Sequence, residues 1–283
     1  MLSVSRLRAE CGSRSLTKVF FSYGNTLPTH RLAHSPHGGL FQPTMTQVIR
    51  LLSDPHGPSA PQVAKSAASS SDSFPFSDPF SSSALTYSTN GFDSFPAPSA
   101  YPYNRFSWVH IFPEGMTHQH PDKLMRYFKW GIARMILEAE PCPDLLPIWV
   151  DGPQKVMDHE RGFPRPVPRP GKDILVAFGD LVDVEKVFGE YRRRWRALRE
   201  KIDGGGNVLG VLEDDELKYG EEARQLRIDV TLAVRDEVLK VRRSCGLPDE
   251  DPKRGLAETY RAEGGSGEVE GRKADGSLVK PGL

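Results

Sequence analysis

One residue could hold a ligand by its type and setting, Glu114. Glu114 follows the apolar run Trp108-Val-His-Ile-Phe112 and stands between Pro113 and Gly115. Val109, Ile111 and Phe112 have the β-branched and aromatic character of a buried strand. Pro113 has no amide to continue a ladder, and Gly115 permits a tight turn or a close backbone approach to a ligand. An acid at the C-terminal lip of a strand, beside a glycine, is where open α/β sheets hold their ligands. The plain alternative is a loop carboxylate bonded to backbone. Arg31 closes the stretch Gly24-Asn-Thr-Leu-Pro-Thr-His-Arg. A planar guanidinium can pair two phosphate oxygens at once, although a lone arginine after a proline is more often a solvated surface residue.

The histidines offer less. His34 and His37 have no acidic or cysteine partner nearby and read as loop hydrogen-bonders. His118 and Asp122 are four apart, but Pro121 disfavours helical geometry in the residue before it. Asp122 therefore reads as a charge decorating a helix start. His110, by alternation, faces away from Val109 and Ile111 and reads as a core histidine.

The elements that must position these residues follow from the hydrophobic period. Thr44 caps a short helix, Met45 to Leu52, with Met45, Val48, Ile49 and Leu52 on one face. A helix is expected from Asp122 to Glu140, with Leu124, Phe128, Ile132, Met135, Ile136 and Ala139 inward and Pro141 and Pro143 beyond its end. Leu145–Val150 and Ile174–Gly179 read as strands. They are joined by a Pro- and Arg-rich segment, Gly162 to Gly171, expected to be a rigid, exposed basic loop. Asp183 to Ile202 reads as an amphipathic helix with Phe188, Trp195 and Leu198 inward, and Arg192, Arg193, Arg194, Arg196 and Arg199 on a solvated face. Leu226, Val230, Val234, Val238 and Val241 mark a last helix ending before Gly246. Leu16 to Tyr23, with Phe20 and Phe21, is either a buried element or a run that rests in a lipid headgroup region.

Composition bounds the rest. The chain has 283 residues, 38% hydrophobic, with Lys+Arg and Asp+Glu both 37. That balance points to no nucleic acid. Ser66 to Ser73 and the aperiodic Phe74-Pro-Phe-Ser-Asp-Pro-Phe that follows mark a disordered insertion. The organisation expected is a folded part over 1–53, a Ser/Pro-rich insertion over 54–104, the remainder of the domain over 105–245 and a disordered tail over 246–283. Three widely spaced cysteines form no metal or disulfide pattern, and no apolar run reaches the ~20 residues of a spanning helix.

Phe112-Pro-Glu-Gly resembles the third signature block of the glycerolipid acyltransferases that use an H-x4-D catalytic pair. The longer run Trp108 to Gly115, with Phe128-Lys-Trp-Gly-Ile-Ala-Arg134 after it, is similar more narrowly to the tafazzin family of transacylases. Gly24, Leu27, Pro28 and Arg31 resemble that family's second block, and Leu146-Pro147-Ile148 its fourth. The resemblance implies an α/β fold, a sheet of the glycerolipid acyltransferase type flanked by helices. It implies a phosphate-binding Arg31, and a Glu114 that organises the acceptor hydroxyls and that arginine, with Phe112, Pro113 and Gly115 completing the substrate site.

The activity implied is acyl transfer between phospholipids, with cardiolipin, lysocardiolipin and phosphatidylcholine as substrates and no metal or other cofactor. It would take place interfacially on inner and outer mitochondrial membranes facing the intermembrane space. An acyl-CoA-dependent lysophospholipid acyltransferase and a non-catalytic membrane-binding remnant are the alternatives. The catalytic pair itself is not in the sequence. Five residues after His30, His34, His37, His56, His110, His118, His120 and His159 stand Ser35, Gly39, Gln42, Pro61, Gly115, Lys123, Met125 and Pro164. In the family that pair precedes the Gly…Arg block, so the expectation is a chain lacking the N-terminal part that carries it, with impaired turnover and no catalytic residue of its own.

Overall fold

The computed structural model describes residues 27, 29, 38–54, 86–87, 92, 95–96, 107–115, 119–120, 122–158, 162–164, 167–204 and 208–257. Arg31, His34, His37, His118 and the run from Leu16 to Tyr23 lie outside them. The chain divides into two compact units, one formed by 1–113, 130–143 and 184–230, the other by 114–129, 144–183 and 231–283.

The first unit is built on helices. α1 (Pro43–Leu51) starts on a proline, whose missing amide costs nothing in a first turn. It buries Met45, Val48 and Ile49, as its spacing predicts. Two-residue strands β1 (Thr86–Tyr87) and β2 (Phe95–Pro96) pair antiparallel within the stretch expected to be an insertion. α2 (Gly131–Glu138) packs Met135 against Met45 and Val48. The ends of α1 and α2 are tied together, since the Asp54 amide donates to the Glu140 carbonyl at 2.8 Å and the Glu140 amide to Ser53 Oγ at 3.0 Å. Later in the chain, α4 (Val184–Asp203) buries Phe188, Trp195 and Leu198. α5 (Asp215–Tyr219) is capped by Asp214, whose carboxylate accepts from the Glu216 amide at 2.7 Å. The first ten residues of α6 (Glu221–Ser244) also belong to this unit.

In the second unit, β3 (Ile148–Asp151) pairs antiparallel with β4 (Leu175–Phe178), in the register Ile148↔Phe178 and Val150↔Val176. The connection between them begins with the short α3 (Pro153–Val156). The rest of the unit is 114–129, the remainder of α6, and a 3-10 turn, Pro252–Gly255. Asp151 at the end of β3 accepts from Lys123 Nζ at 2.7 Å and from Gln154 Nε2 at 2.6 Å. Burial pushes its carboxyl up, but the hydrogen bonds from Lys123 and Gln154 and the charges of Lys123 and Lys155 outweigh burial and hold it below the ordinary carboxylate value. A depressed folded value gives stability that is complete above the unfolded pKa of ~3.9 and fades as pH falls through the folded one. Thermal unfolding followed from about pH 6 down to about pH 3 should therefore show a steeper acid loss in the native chain than in Asp151→Asn.

The mixture of helices and two small antiparallel sheets is compatible with an α/β fold, and three expectations need correction. The segment 122–129 is not helical, and the helix begins only at Gly131. Lys123 has φ 54°, a left-handed conformation that breaks a right-handed helix. The backbone groups of 122–126 have partners other than a helix. Arg242 donates to the carbonyls of Lys123 and Asp122, Arg235 donates to those of Met125 and Arg126, and the Met125 amide donates to Glu250. Residues 108–112 are extended but belong to no ladder among the described residues. The tail expected to be disordered from residue 246 contains, in its first part, the buried Glu250 and the 3-10 turn.

Candidate functional site

The Trp108–Gly115 stretch alternates as an extended chain should. Val109 and Ile111 pack on the Met45, Val48 and Met135 cluster. Trp108, His110 and Phe112 take the other side, with Trp108 79% and Phe112 49% exposed. Their rings follow one another, Trp108 to His110 at 6.2 Å and His110 to Phe112 at 4.7 Å between centroids. His110 is thus a half-exposed ring within an aromatic row, not a core histidine. The reason lies in the alternation itself: once Val109 and Ile111 take the core, the residue between them must face out.

This row runs into a turn at Pro113 and Glu114. Gly115 has φ 66°, and a Cβ there would lie 3.1 Å from Lys129 Cγ, so glycine answers both a backbone and a space requirement. Glu114 is half-buried in this turn. Four of the five candidate residues, Phe112, Pro113, Glu114 and Gly115, are consecutive here. The fifth, Arg31, is outside the described residues, so its approach to Glu114 remains an expectation.

No described histidine is set up as a base oriented by an acid. His120 comes nearest, with Nδ1 3.8 Å from Asp122 Oδ2. Its Nδ1, however, accepts from the Asp122 amide at 3.1 Å, which leaves the neutral ring with its proton on Nε2. That is the wrong tautomer for taking a proton at Nε2. Among the described residues, no group of three or more His, Cys, Asp or Glu could hold a metal ion, and no helix is long and apolar enough to cross a membrane.

Buried arginines tie the elements of the first unit together, and reading α4's arginines as one solvated face missed this. Arg134, last residue of the Phe128–Arg134 motif, pairs with Glu138 through two 2.6 Å bonds. It also donates to the carbonyls of Leu40 at 3.0 Å and Gly210 at 2.9 Å. The Phe41 ring has the Arg134 guanidinium 5.3 Å and the Arg227 guanidinium 5.2 Å from its centroid. Burial drives Arg227 down to about 10; the charge of Glu138 acts against that and Arg134 with it. Arg192 is 3% exposed, donates to the Ile136 and Ala139 carbonyls at the end of α2, and pairs with Glu140 at 2.9 Å. A signal for it existed. Arg192 stands four residues after Phe188 and three before Trp195, on the apolar stripe itself.

Comparison with known proteins gives this geometry a context. The chain is 34% identical over 251 residues to the tafazzin of Saccharomyces cerevisiae, covering 86% of this chain and 58% of the yeast protein. It is 29% identical over 138 residues to the taffazin of Dictyostelium discoideum, covering 47% of this chain and 42% of that protein. A shorter likeness, 35% over 81 residues, is to the N-acylphosphatidylethanolamine synthase of Arabidopsis thaliana, 28% of each chain. No family model matches. The chain therefore spans about half the length of the tafazzins it matches. Over the residues it shares with the yeast protein, it is a tafazzin-like polypeptide.

Proposed function

We propose that this chain takes part in phospholipid acyl transfer, and specifically in transacylation between a phospholipid and a lysophospholipid that remodels cardiolipin. The observation that carries the reading is the likeness to yeast tafazzin over 86% of the chain, with the Phe112–Gly115 turn within it. In the reaction, a lysolipid hydroxyl attacks the acyl ester carbonyl of a donor such as phosphatidylcholine. A base takes the hydroxyl proton, the ester C–O bond breaks, and the proton passes to the leaving oxygen. Arg31 binds the glycerolipid phosphate, and Glu114 orders the acceptor hydroxyl and that guanidinium. Neither acyl-CoA nor a metal takes part. The setting is the surface of mitochondrial membranes facing the intermembrane space.

The 283 residues hold no histidine with an acid five positions on. A transacylation assay of this polypeptide alone, with labelled lysocardiolipin and phosphatidylcholine, should therefore read background. Robust turnover would overturn the assignment of no catalytic residue to it. In an active background that supplies an H-x4-D pair, Arg31→Ala should lower kcat/KM about 10- to 100-fold, the equivalent of one lost charge-assisted hydrogen bond. Unchanged kcat/KM would remove the phosphate role. A requirement for added acyl-CoA would favour the acyl-CoA-dependent reading, and vesicle binding without turnover in that same background would favour a non-catalytic one.

A further inference from the structure

Most of the large apolar side chains left exposed among the described residues fall in one stretch, between Leu146 and Leu181 of the second unit. In the β3–β4 register, Ile148 and Val150 share a face with Phe178 and Val176, because alternate residues point the same way. The alternation carries on to Leu146 before β3 and Ile174 before β4, so six successive positions on this face are apolar. Five of the six are open, Val150 39%, Val176 47%, Phe178 64%, Leu146 47% and Ile174 52% exposed, and Ile148 is half-buried. On the opposite face the Arg242 guanidinium lies 5.8 Å from the Trp149 ring centroid and Lys123 bonds to Asp151, which leaves Leu175, 49% exposed, as its open apolar position.

The connection between the strands adds to this. Phe163 is 94% and Val167 46% exposed, and Arg169 folds the connection on itself by donating to the carbonyls of Val156 and Gly162, each at 2.9 Å. Over 152–174 the sequence carries five cations against three acids, an excess of two.

We propose that this ribbon face, with Phe163 and Val167, is the surface by which the chain rests on an anionic phospholipid bilayer. The choice of a bilayer draws on the phospholipid reading above. It also has its own grounds. A protein interface surrounds its apolar centre with polar groups that set orientation, and this face has none at six positions. Acyl chains demand no directional partner, an exposed phenylalanine beside cations suits the headgroup boundary, and the cation excess suits anionic lipid. The ribbon lies at that boundary and no deeper, because each strand has an edge outside the two-stranded ladder whose backbone groups need water or headgroups.

Flotation of the 283-residue chain with vesicles of phosphatidylcholine plus cardiolipin, and of phosphatidylcholine alone, tests this. Binding is expected to both, several-fold weaker without cardiolipin. Val176→Asp with Phe178→Asp should lower partitioning at least tenfold. Phe163→Ser, in a loop where folding is not at stake, should lower it several-fold with an unchanged circular dichroism spectrum. Unchanged binding of Phe163→Ser and of the double variant would overturn the proposal. So would a dimer, seen without lipid by light scattering, that the double variant dissolves, since the face would then belong to a second copy. Binding that is lost in these variants, in a chain that shows no acyl transfer even when an H-x4-D pair is supplied, would sink the enzymatic reading and leave this surface standing.

Discussion

Replacing Glu250 with Ala should destabilise the second unit by about 3–5 kcal/mol, the cost of removing one member of a buried ionic group. The carboxylate is fully buried. It accepts from the Met125 amide at 2.8 Å and from Arg235, and forms an ion pair with Arg242, whose Nε lies 3.2 Å away. Without it, two guanidinia that are 2% and 0% exposed would have no carboxylate between them. Both also hold carbonyls of this segment, those of Asp122, Lys123, Met125 and Arg126, so its non-helical course should loosen together with the ion pairs. Urea unfolding would show a lower midpoint, and hydrogen exchange would show lost protection at the Met125 amide. Glu250→Gln should recover part of the loss, since the amide oxygen still accepts but carries no charge. A midpoint within about 0.5 kcal/mol of native, typical of a surface substitution, would show that the ionic group is not formed.

The second large effect is expected in the first unit, where Glu138→Ala should also cost about 3–5 kcal/mol. Glu138 is the partner of Arg134 at 2.6 Å, both side chains are 2% exposed, and its charge counters the burial of Arg227 as well. Deleting it leaves cations without compensation around Phe41. The double replacement Arg134→Met with Glu138→Leu removes the buried charges together and should cost less than Glu138→Ala alone. It should not be free. The Leu40 carbonyl loses its donor, at about 1–3 kcal/mol for an acceptor left unmet, and the Gly210 carbonyl loses one of two, keeping Thr46 Oγ1 at 2.6 Å. If the single and double replacements cost the same, the ion pair contributes nothing beyond those two bonds. The comparison belongs on urea midpoints measured at one pH.

Both predictions turn on arginines that a hydrophobic period does not reveal. In α4 and α6 the stripe of Phe188, Trp195, Leu226, Val230 and Val234 is read directly from spacing and is buried as expected. Arg192 and Arg227 occupy the same stripe. Charge alone would place them outside, and they are inside because backbone carbonyls and acids meet them: Ile136 and Ala139 with Glu140 for one, Leu217 and Lys218 for the other. Such partners lie tens of residues away, or at a helix end whose course is not written in the period. The same holds for 122–129, where a helical pattern of Leu124, Phe128 and Ile132 is overridden by long-range donors to its carbonyls.

By itself the sequence determined the local features of this protein. The short α1 with Met45, Val48 and Ile49 inward, the long α4 and α6, the two strands β3 and β4, and the glycine turn after Glu114 all follow from neighbours within a few residues, although α1 begins at Pro43 with Gln42 before it and not after a Thr44 cap. It also carries the Phe112-Pro-Glu-Gly block and its likeness to the tafazzins. The tertiary structure alone decided that the 108–112 run is an aromatic row over a core edge, with no ladder partner among the described residues. It also decided that the residues before Gly131 are not helical, and that one face of the β3–β4 ribbon is left largely open. Local pattern records which side of an element is apolar. What covers that side, and which distant donor satisfies a given carbonyl, depends on groups brought together only by folding.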